Sequence, residues 1–161
     1  MLEGTIAGDD PRASDVRALI ERHLAFANEH SPPEDVHALD LSDLLHADVS
    51  FFSFRLNGDL LGIGALKMLD ARHGELKSMH TADPARGRGI GRAMVEHLLA
   101  VARERGIHRV SLETGTKAAF APARRLYEKA GFEPCEPYGS YGPSPNSICM
   151  TLSLLDENSE S

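Results

Sequence analysis

The sequence predicts a mixed α/β domain that contains an antiparallel hairpin and a parallel strand–helix–strand unit. Three observations carry this. First, the apolar pattern changes at Asp48, from helical spacing before it to β-branched and aromatic runs after it. Second, Asn57-Gly58 joins two such runs, and both residues tolerate the positive φ of a tight hairpin turn. Third, residues 75–114 read as strand, glycine-rich loop, amphipathic helix and strand. A helix with a short return is a right-handed crossover, so those two strands should run parallel. The chain has 161 residues, 42% of them hydrophobic, which suits one domain with one core.

Taken in order, residues 1–11 have the content of an opening strand or a frayed end, with Leu2, Thr5 and Ile6. Ser14 is expected to cap the first helix, with Asp15 in its first turn. Val16, Leu19, Ile20, His23, Leu24 and Ala27 then recur at helical spacing. Pro32-Pro33 stops that helix, because proline removes a donor and restricts the residue before it. A second short helix is expected from Leu41 to His46. Val49 to Leu56 and Leu60 to Lys67 form the hairpin strands, and the glycines of the second predict a bulge or the close approach of another element.

Asp70 to Gly74 reads as a loop and Glu75 to Thr81 as a third strand. A helix from Ile90 to Arg105 gathers Ile90, Met94, Leu98, Val101 and Ala102 on one face and ends at Gly106. Arg109 to Thr114 is the strand it returns to. Gly115 to Ala119 is a loop, and a second amphipathic helix runs from Pro122 to Ala130, closed by Gly131. Phe132 begins a further strand, residues 134–147 are a loop, and Ser147 to Leu154 is the last strand before a polar tail, Asp156 to Ser161. No repeat, linker or boundary interrupts the chain. Residues 1–161 therefore read as a single domain, with a strand and helices over 1–47 and the sheet core over 48–155.

Composition excludes several function classes. The formal net charge is −7 and no basic stripe lies outside the glycine loop, which argues against nucleic acid as a partner. An acidic balance is compatible with a cationic substrate such as an amine. No run of apolar residues is long enough to span a membrane, and Met1 to Asp10 lack a signal-peptide pattern, so a soluble cytoplasmic protein is expected. Cys135 and Cys149 have no metal-ligand spacing and read as reduced thiols. The histidines are scattered singly, so no metal is expected.

Chemistry concentrates in Arg86-Gly87-Arg88-Gly89-Ile90-Gly91, where a helix begins inside a glycine run. Free backbone amides at a helix N-terminus bind phosphate, because the donors point outward and the helix dipole favours negative charge. The spacing is neither the dinucleotide-binding fingerprint nor the P-loop.

The loop matches Q/R-x-x-G-x-G/A through Arg86, Gly89 and Gly91. Downstream lie the pair Leu126-Tyr127, at the end of a helix, and then Gly131-Phe132. On these motifs the chain resembles the GNAT superfamily of N-acetyltransferases, in its small bacterial single-domain form. The resemblance spans roughly Asp48 to Leu154. It implies the GNAT fold, a mixed and mostly antiparallel sheet whose parallel fourth and fifth strands splay apart. It also implies acetyl-CoA as co-substrate and an amine of a small molecule or peptide as acceptor. Dimers are common in the family, and no feature of the sequence demands one.

The resemblance further implies roles for individual residues. Backbone groups of Met79, His80 and Thr81 would pair with the pantetheine arm, and an N–H near Met79 would polarise the thioester carbonyl. The pyrophosphate would rest on backbone amides from Arg88 to Arg92, across Gly89, Ile90 and Gly91, and Gly87 is a further cofactor-binding candidate. The side chains of Arg86, Arg88 and Arg92 are candidates for direct phosphate contacts. Tyr127 falls on the general acid that protonates the leaving thiolate. The base stays open between Glu75, Glu113, His80, which could titrate near neutrality, and relayed water. Glu75 opens its strand after Gly74, where the plain alternative is an exposed carboxylate. Glu113 could instead be a structural partner of Lys77 or of an arginine. Alternation with Lys77 and Met79 would turn His80 away from the substrate. Many family members carry Asn at the position of Phe120, so the hydrogen bond it gives to pantetheine is either missing here or supplied by another group. Tyr138, Tyr141 and Asn146 could shape the acceptor pocket, between the N-terminal helices and the loop Pro134 to Ser147. Two other readings share the loop: a non-catalytic acyl-CoA-binding module, and a different nucleotide-phosphate binder.

Overall fold

A computed structural model describes residues 4–31, 41–138 and 141–155. Leu2, the helix stop at Pro32-Pro33 and the tail from Asp156 lie outside the described residues. Among the described residues the strands are β1 (Thr5–Gly8), β2 (Val49–Leu56), β3 (Asp59–Met68), β4 (His73–Thr81), β5 (Arg109–Gly115), β6 (Glu133–Cys135) and β7 (Ser147–Ser153). The helices are α1 (Ser14–His30), α2 (Leu41–Leu44), α3 (Ile90–Glu104) and α4 (Ala121–Ala130). The strands form one sheet in the order β1-β2-β3-β4-β5-β7-β6, with the β4–β5 pair parallel and every other pair antiparallel.

Each face of the sheet has its own core. On one face α1 and α2 bring Val16, Leu19, Ile20 and Leu44 onto Phe51, Ile63 and Ala65. On the other, α3 and α4 bring Ile90, Met94, Leu98 and Tyr127 onto Phe54, Leu66, Leu76 and Leu112. α3 lies close because β3 carries glycines there. A Cβ on Gly64 would stand 2.7 Å from Met94 Cγ, and one on Gly62 would stand 2.8 Å from Ile90 Cγ2. Leu98 is fully enclosed in this core. Leu98→Ala is expected to destabilise the protein by about 2–5 kcal/mol, read from denaturant unfolding with unchanged slope.

Most element ends fall within a residue or two of the sequence reading, the second helix stopping at Leu44 rather than His46, and two differences bear on the site. Ala13, not Ser14, occupies the cap position of α1, with no side-chain cap bond. Asp15 in the first turn instead binds Arg55, whose Nη1 lies 2.6 Å from Asp15 Oδ2 while its Nε meets Asp9 Oδ2 at 2.9 Å. That double pairing fastens the start of α1 to β2. β4 begins at His73 rather than Glu75, because His73 and Gly74 already pair with Arg109 and Val110 of β5.

Two irregularities in β4 make the site. Ala65 of β3 faces Lys77, but Ile63 faces His80, so Ser78 and Met79 together oppose Gly64. This is a β-bulge, with Ser78 held at φ 56°. Alternation therefore resets: Met79 packs with Met94 towards α3, and His80 turns to α1, on the side of Lys77. The expectation that His80 points away fails for this reason. The second irregularity is on the opposite edge. β4 pairs with β5 only at His73, Gly74 and Glu75. Beyond Glu75 and Ser111 the two strands separate, while β5 stays paired to β7 through Gly115.

Candidate active site

The separation of β4 from β5 opens a cleft of about 610 Å³. One end is the glycine loop. A short turn, Asp83–Ala85, leads into Gly87 at φ 79° and Gly89 at φ 82°, left-handed conformations that glycine adopts without steric cost. Gly89 is the cap residue of α3, and the first backbone bond into the helix runs from the Ala93 amide to the Gly89 carbonyl at 3.1 Å. The amides of Ile90, Gly91 and Arg92 thus have no acceptor within the helix and stand at its positive end. Gly91 sits under α4, where a Cβ would be 3.1 Å from Leu126 Cδ2.

The three arginines separate. Arg86 lines the cleft, pairs with Asp83 at 3.2 Å and lies 5.9 Å from the Phe26 ring centroid. Arg92 also lines it and pairs with Glu96 at 3.0 Å. Arg88 is exposed and is not among the cleft-lining residues.

Met79, His80 and Thr81 line the cleft from β4, and Glu113, Thr114 and Gly115 line it from β5. Tyr127 reaches it from α4, only 6% exposed and edge-on to Phe132. Burial pushes its phenol above the ordinary range, so the hydroxyl keeps its proton at neutral pH.

Glu75 is not the exposed carboxylate that a strand-opening position suggested. It is 2% exposed and stands on the α1 face of the sheet. The hydroxyls of Tyr138 and Tyr141 both donate to its Oε2 at 2.6 Å. Lys77 Nζ lies 3.9 Å from the same oxygen and donates to Tyr141 Oη at 2.7 Å. Burial pulls the Lys77 ammonium down, opposed first by Glu75 and then by Glu113. Burial and the adjacent Glu75 charge push both phenols up.

His80 does not titrate near neutrality as expected. Burial, with Arg86 nearby, holds it at about 4. Its Nδ1 is 3.3 Å from His23 Nδ1 of α1, itself held at about 4 by burial and by His80. Phe26 packs edge-on against Phe120 at 5.4 Å, so α1 meets the start of α4 across the cleft. Phe120 fills the space over Gly115, where a Cβ would clash at 2.1 Å. A phenylalanine here has a packing role where the family pattern has an amide.

Sequence reasoning located the loop, β4 and Tyr127. It missed Lys77, His23 and Phe26 as cleft residues and gave Tyr138 and Tyr141 only a pocket-shaping role. Nothing in their local spacing distinguishes them. They converge through the bulge and the β6–β7 connection.

The model of the acetyltransferase (GNAT) family matches residues 16–132. This chain belongs to the GNAT family. It is 45% identical over 154 residues to YedL of Escherichia coli, described as an uncharacterized N-acetyltransferase, covering 96% of this chain and 97% of that protein. A Klebsiella pneumoniae crystal structure described as an acyl-CoA N-acyltransferase superposes with TM-score 0.81 at 29% identity, over 94% of this chain and 98% of that one. A GNAT acetyltransferase from Elizabethkingia anophelis, solved with acetyl-CoA bound, shares the fold at TM-score 0.69 and 18% identity, over 94% and 98% of the two chains. The protein is therefore a GNAT N-acetyltransferase with a parallel, splayed β4/β5 pair. Among the described residues no helix is long and apolar enough to cross a membrane, and no group of metal-ligating side chains converges.

Proposed function

We propose that this GNAT enzyme transfers the acetyl group of acetyl-CoA to the amine of a small molecule or peptide by direct attack. The observation that supports this best is the cleft itself. It joins unpartnered helix N-terminal amides at one end to a buried, protonated tyrosine in the gap between β4 and β5.

In this reading the amides of Ile90, Gly91 and Arg92 hold the pyrophosphate, with Arg86 beside them. Freed main-chain groups of Met79, His80 and Thr81 pair with the pantetheine amides as an added strand. The bulge gives β4 one peptide more than β3 opposite it, and the Met79 amide polarises the thioester carbonyl as negative charge develops there. The amine nitrogen bonds to the acetyl carbon and the carbon–sulfur bond breaks. Tyr127 donates its proton to the departing thiolate. Glu113 lines the same cleft and acts on the Lys77 charge. The wall from α1, with His23, Phe26 and Ala27, faces the acceptor.

Two measurements test this. Acetyl-CoA at a hundredfold excess over its Kd is expected to stabilise the fold by about 2.7 kcal/mol, whereas ATP and NAD leave the melting temperature unchanged. A panel of amines, amino acids and peptides with acetyl-CoA is expected to release free thiol with at least one acceptor. Binding without turnover would favour the non-catalytic acyl-CoA-binding reading.

A further inference from the structure

β6 and β7 bring the chain's two cysteines face to face. In the register of this antiparallel pair Cys135 stands directly opposite Cys149, so both side chains leave the same face of the sheet. Directly opposed residues have Cα atoms about 4.5–5.5 Å apart, inside the roughly 4.4–6.8 Å that a disulfide spans. Both cysteines are free thiols, and Glu113 of β5 continues the same row on the far side of Cys149. We propose that Cys135 and Cys149 form a dithiol modification site, closed to an intramolecular disulfide by exchange with a low-molecular-weight disulfide, and that the bond staples the root of the β6–β7 connection. This goes beyond acetyl transfer and does not rest on it.

β6 is the edge strand and Cys135 is half-buried on it, whereas Cys149 is 6% exposed, so Cys135 meets the oxidant first. Its thiolate attacks one sulfur of the small disulfide, a mixed disulfide forms, and one small thiolate leaves. The Cys149 thiolate then attacks the Cys135 sulfur and expels the small group as a second thiolate. Two electrons pass from the protein to the small disulfide, and the two cysteine protons end on the two small thiols. Burial pushes both thiols up, Cys149 to about 11. Arg109 opposes the rise at Cys135 and Glu136 adds to it, while Glu113 and Glu75 add to it at Cys149. Thiolate is therefore scarce at neutral pH, and the exchange is expected to speed up by about tenfold per pH unit there.

The position gives the bond something to hold. β6 pairs with β7 at three residues, and the middle one, Pro134, has no N–H to give the ladder. The chain leaving Cys135 carries Tyr138 and Tyr141, whose hydroxyls donate to Glu75. The Tyr138 backbone N–H also donates to the Cys149 sulfur. A covalent link at this root fixes the short strand from which that wall of the cleft departs. It also removes freedom from the unfolded chain, so the oxidised protein is expected to melt higher than the reduced one.

The test incubates wild type, Cys135→Ser and Cys149→Ser with excess oxidised glutathione at about pH 8.5, where more of each thiol is ionised. Intact mass, non-reducing electrophoresis and a thermal melt are then read. Wild type is expected to remain a single chain, lose two hydrogens, retain no glutathione and melt on the order of 5 °C higher, all reversed by dithiothreitol. Cys149→Ser is expected to stop at one glutathione adduct with no such rise, and Cys135→Ser to stay unmodified over the same time. The wild-type mass decides alone if a serine variant does not fold. A glutathione adduct that persists on wild type, a disulfide between two copies, or two thiols that stay free would overturn the site. An internal bond that leaves the melting temperature unchanged would overturn the staple. None of these readouts uses turnover, so they stand apart from the outcome of the acetyl-transfer assays.

Discussion

Tyr127→Phe is expected to lower kcat by about 10²-fold or more while leaving the KM for acetyl-CoA and the melting temperature unchanged. The substitution removes one oxygen and keeps the ring that packs against Phe132. Burial is the single cause acting on the phenol, and among the described residues no side chain hydrogen-bonds it. No internal bond is therefore lost, and the fold has no reason to weaken. What is lost is a proton donor inside the cleft whose raised pKa keeps it loaded through the neutral range. Steady-state kinetics over a range of acetyl-CoA concentrations, with a thermal melt as control, separates the outcomes. An unchanged kcat would reduce Tyr127 to a core aromatic, and equal falls in kcat and melting temperature would make its role structural.

Stability is expected to fall as pH drops from about 6.5 to about 4, the window between the ordinary histidine value and those of His23 and His80. The folded-state values lie below the unfolded ones, so the unfolded chain binds protons first on acidification. The stability these rings contribute is complete above the unfolded value and is lost through the window. The rings face each other at 3.3 Å and the charge on one lowers the other, so the loss belongs to the pair and not to either ring alone. His73, also held low by burial, adds in the same direction. Asp9 and Asp15, lowered by their hydrogen bonds and by Arg55, act below this window. Melting temperature against pH for wild type and His23→Gln checks the assignment. The variant is expected to show a shallower fall, and parallel curves would place the titrating groups elsewhere.

The elements were legible in the sequence because their signals are local. The Asn57-Gly58 turn, the apolar stripe of α3 and the glycines that end helices each depend on a few neighbouring residues. Gly89, Gly91 and Tyr127 were legible because their spacing matches a family pattern. What escaped depends on register. Strict alternation put His80 on the wrong face, since one residue added at Ser78 resets the phase and no turn-forming residue announces it. The engagement of Glu75 depends on two tyrosines more than sixty residues away along the chain. Their pairing follows from a loop that crosses from β6 onto the face of the central strand β4, which no periodicity records. The aromatic contact between Phe26 and Phe120 is of the same kind.

The bulge at Ser78 separates two kinds of inheritance. A chain lacking Ser78 would keep Lys77 and His80 towards α1 and Met79 towards α3, because the remaining residues already alternate in that phase. Its side chains would be unmoved. The shortened strand would lose one peptide unit, and with it the second residue that now stands opposite Gly64. Side-chain substitution can thus redraw the walls of the cleft without touching that extra peptide. Only a change in strand length can remove it. A chain that keeps the bulge can change its cleft-lining side chains while keeping the main-chain path of β4.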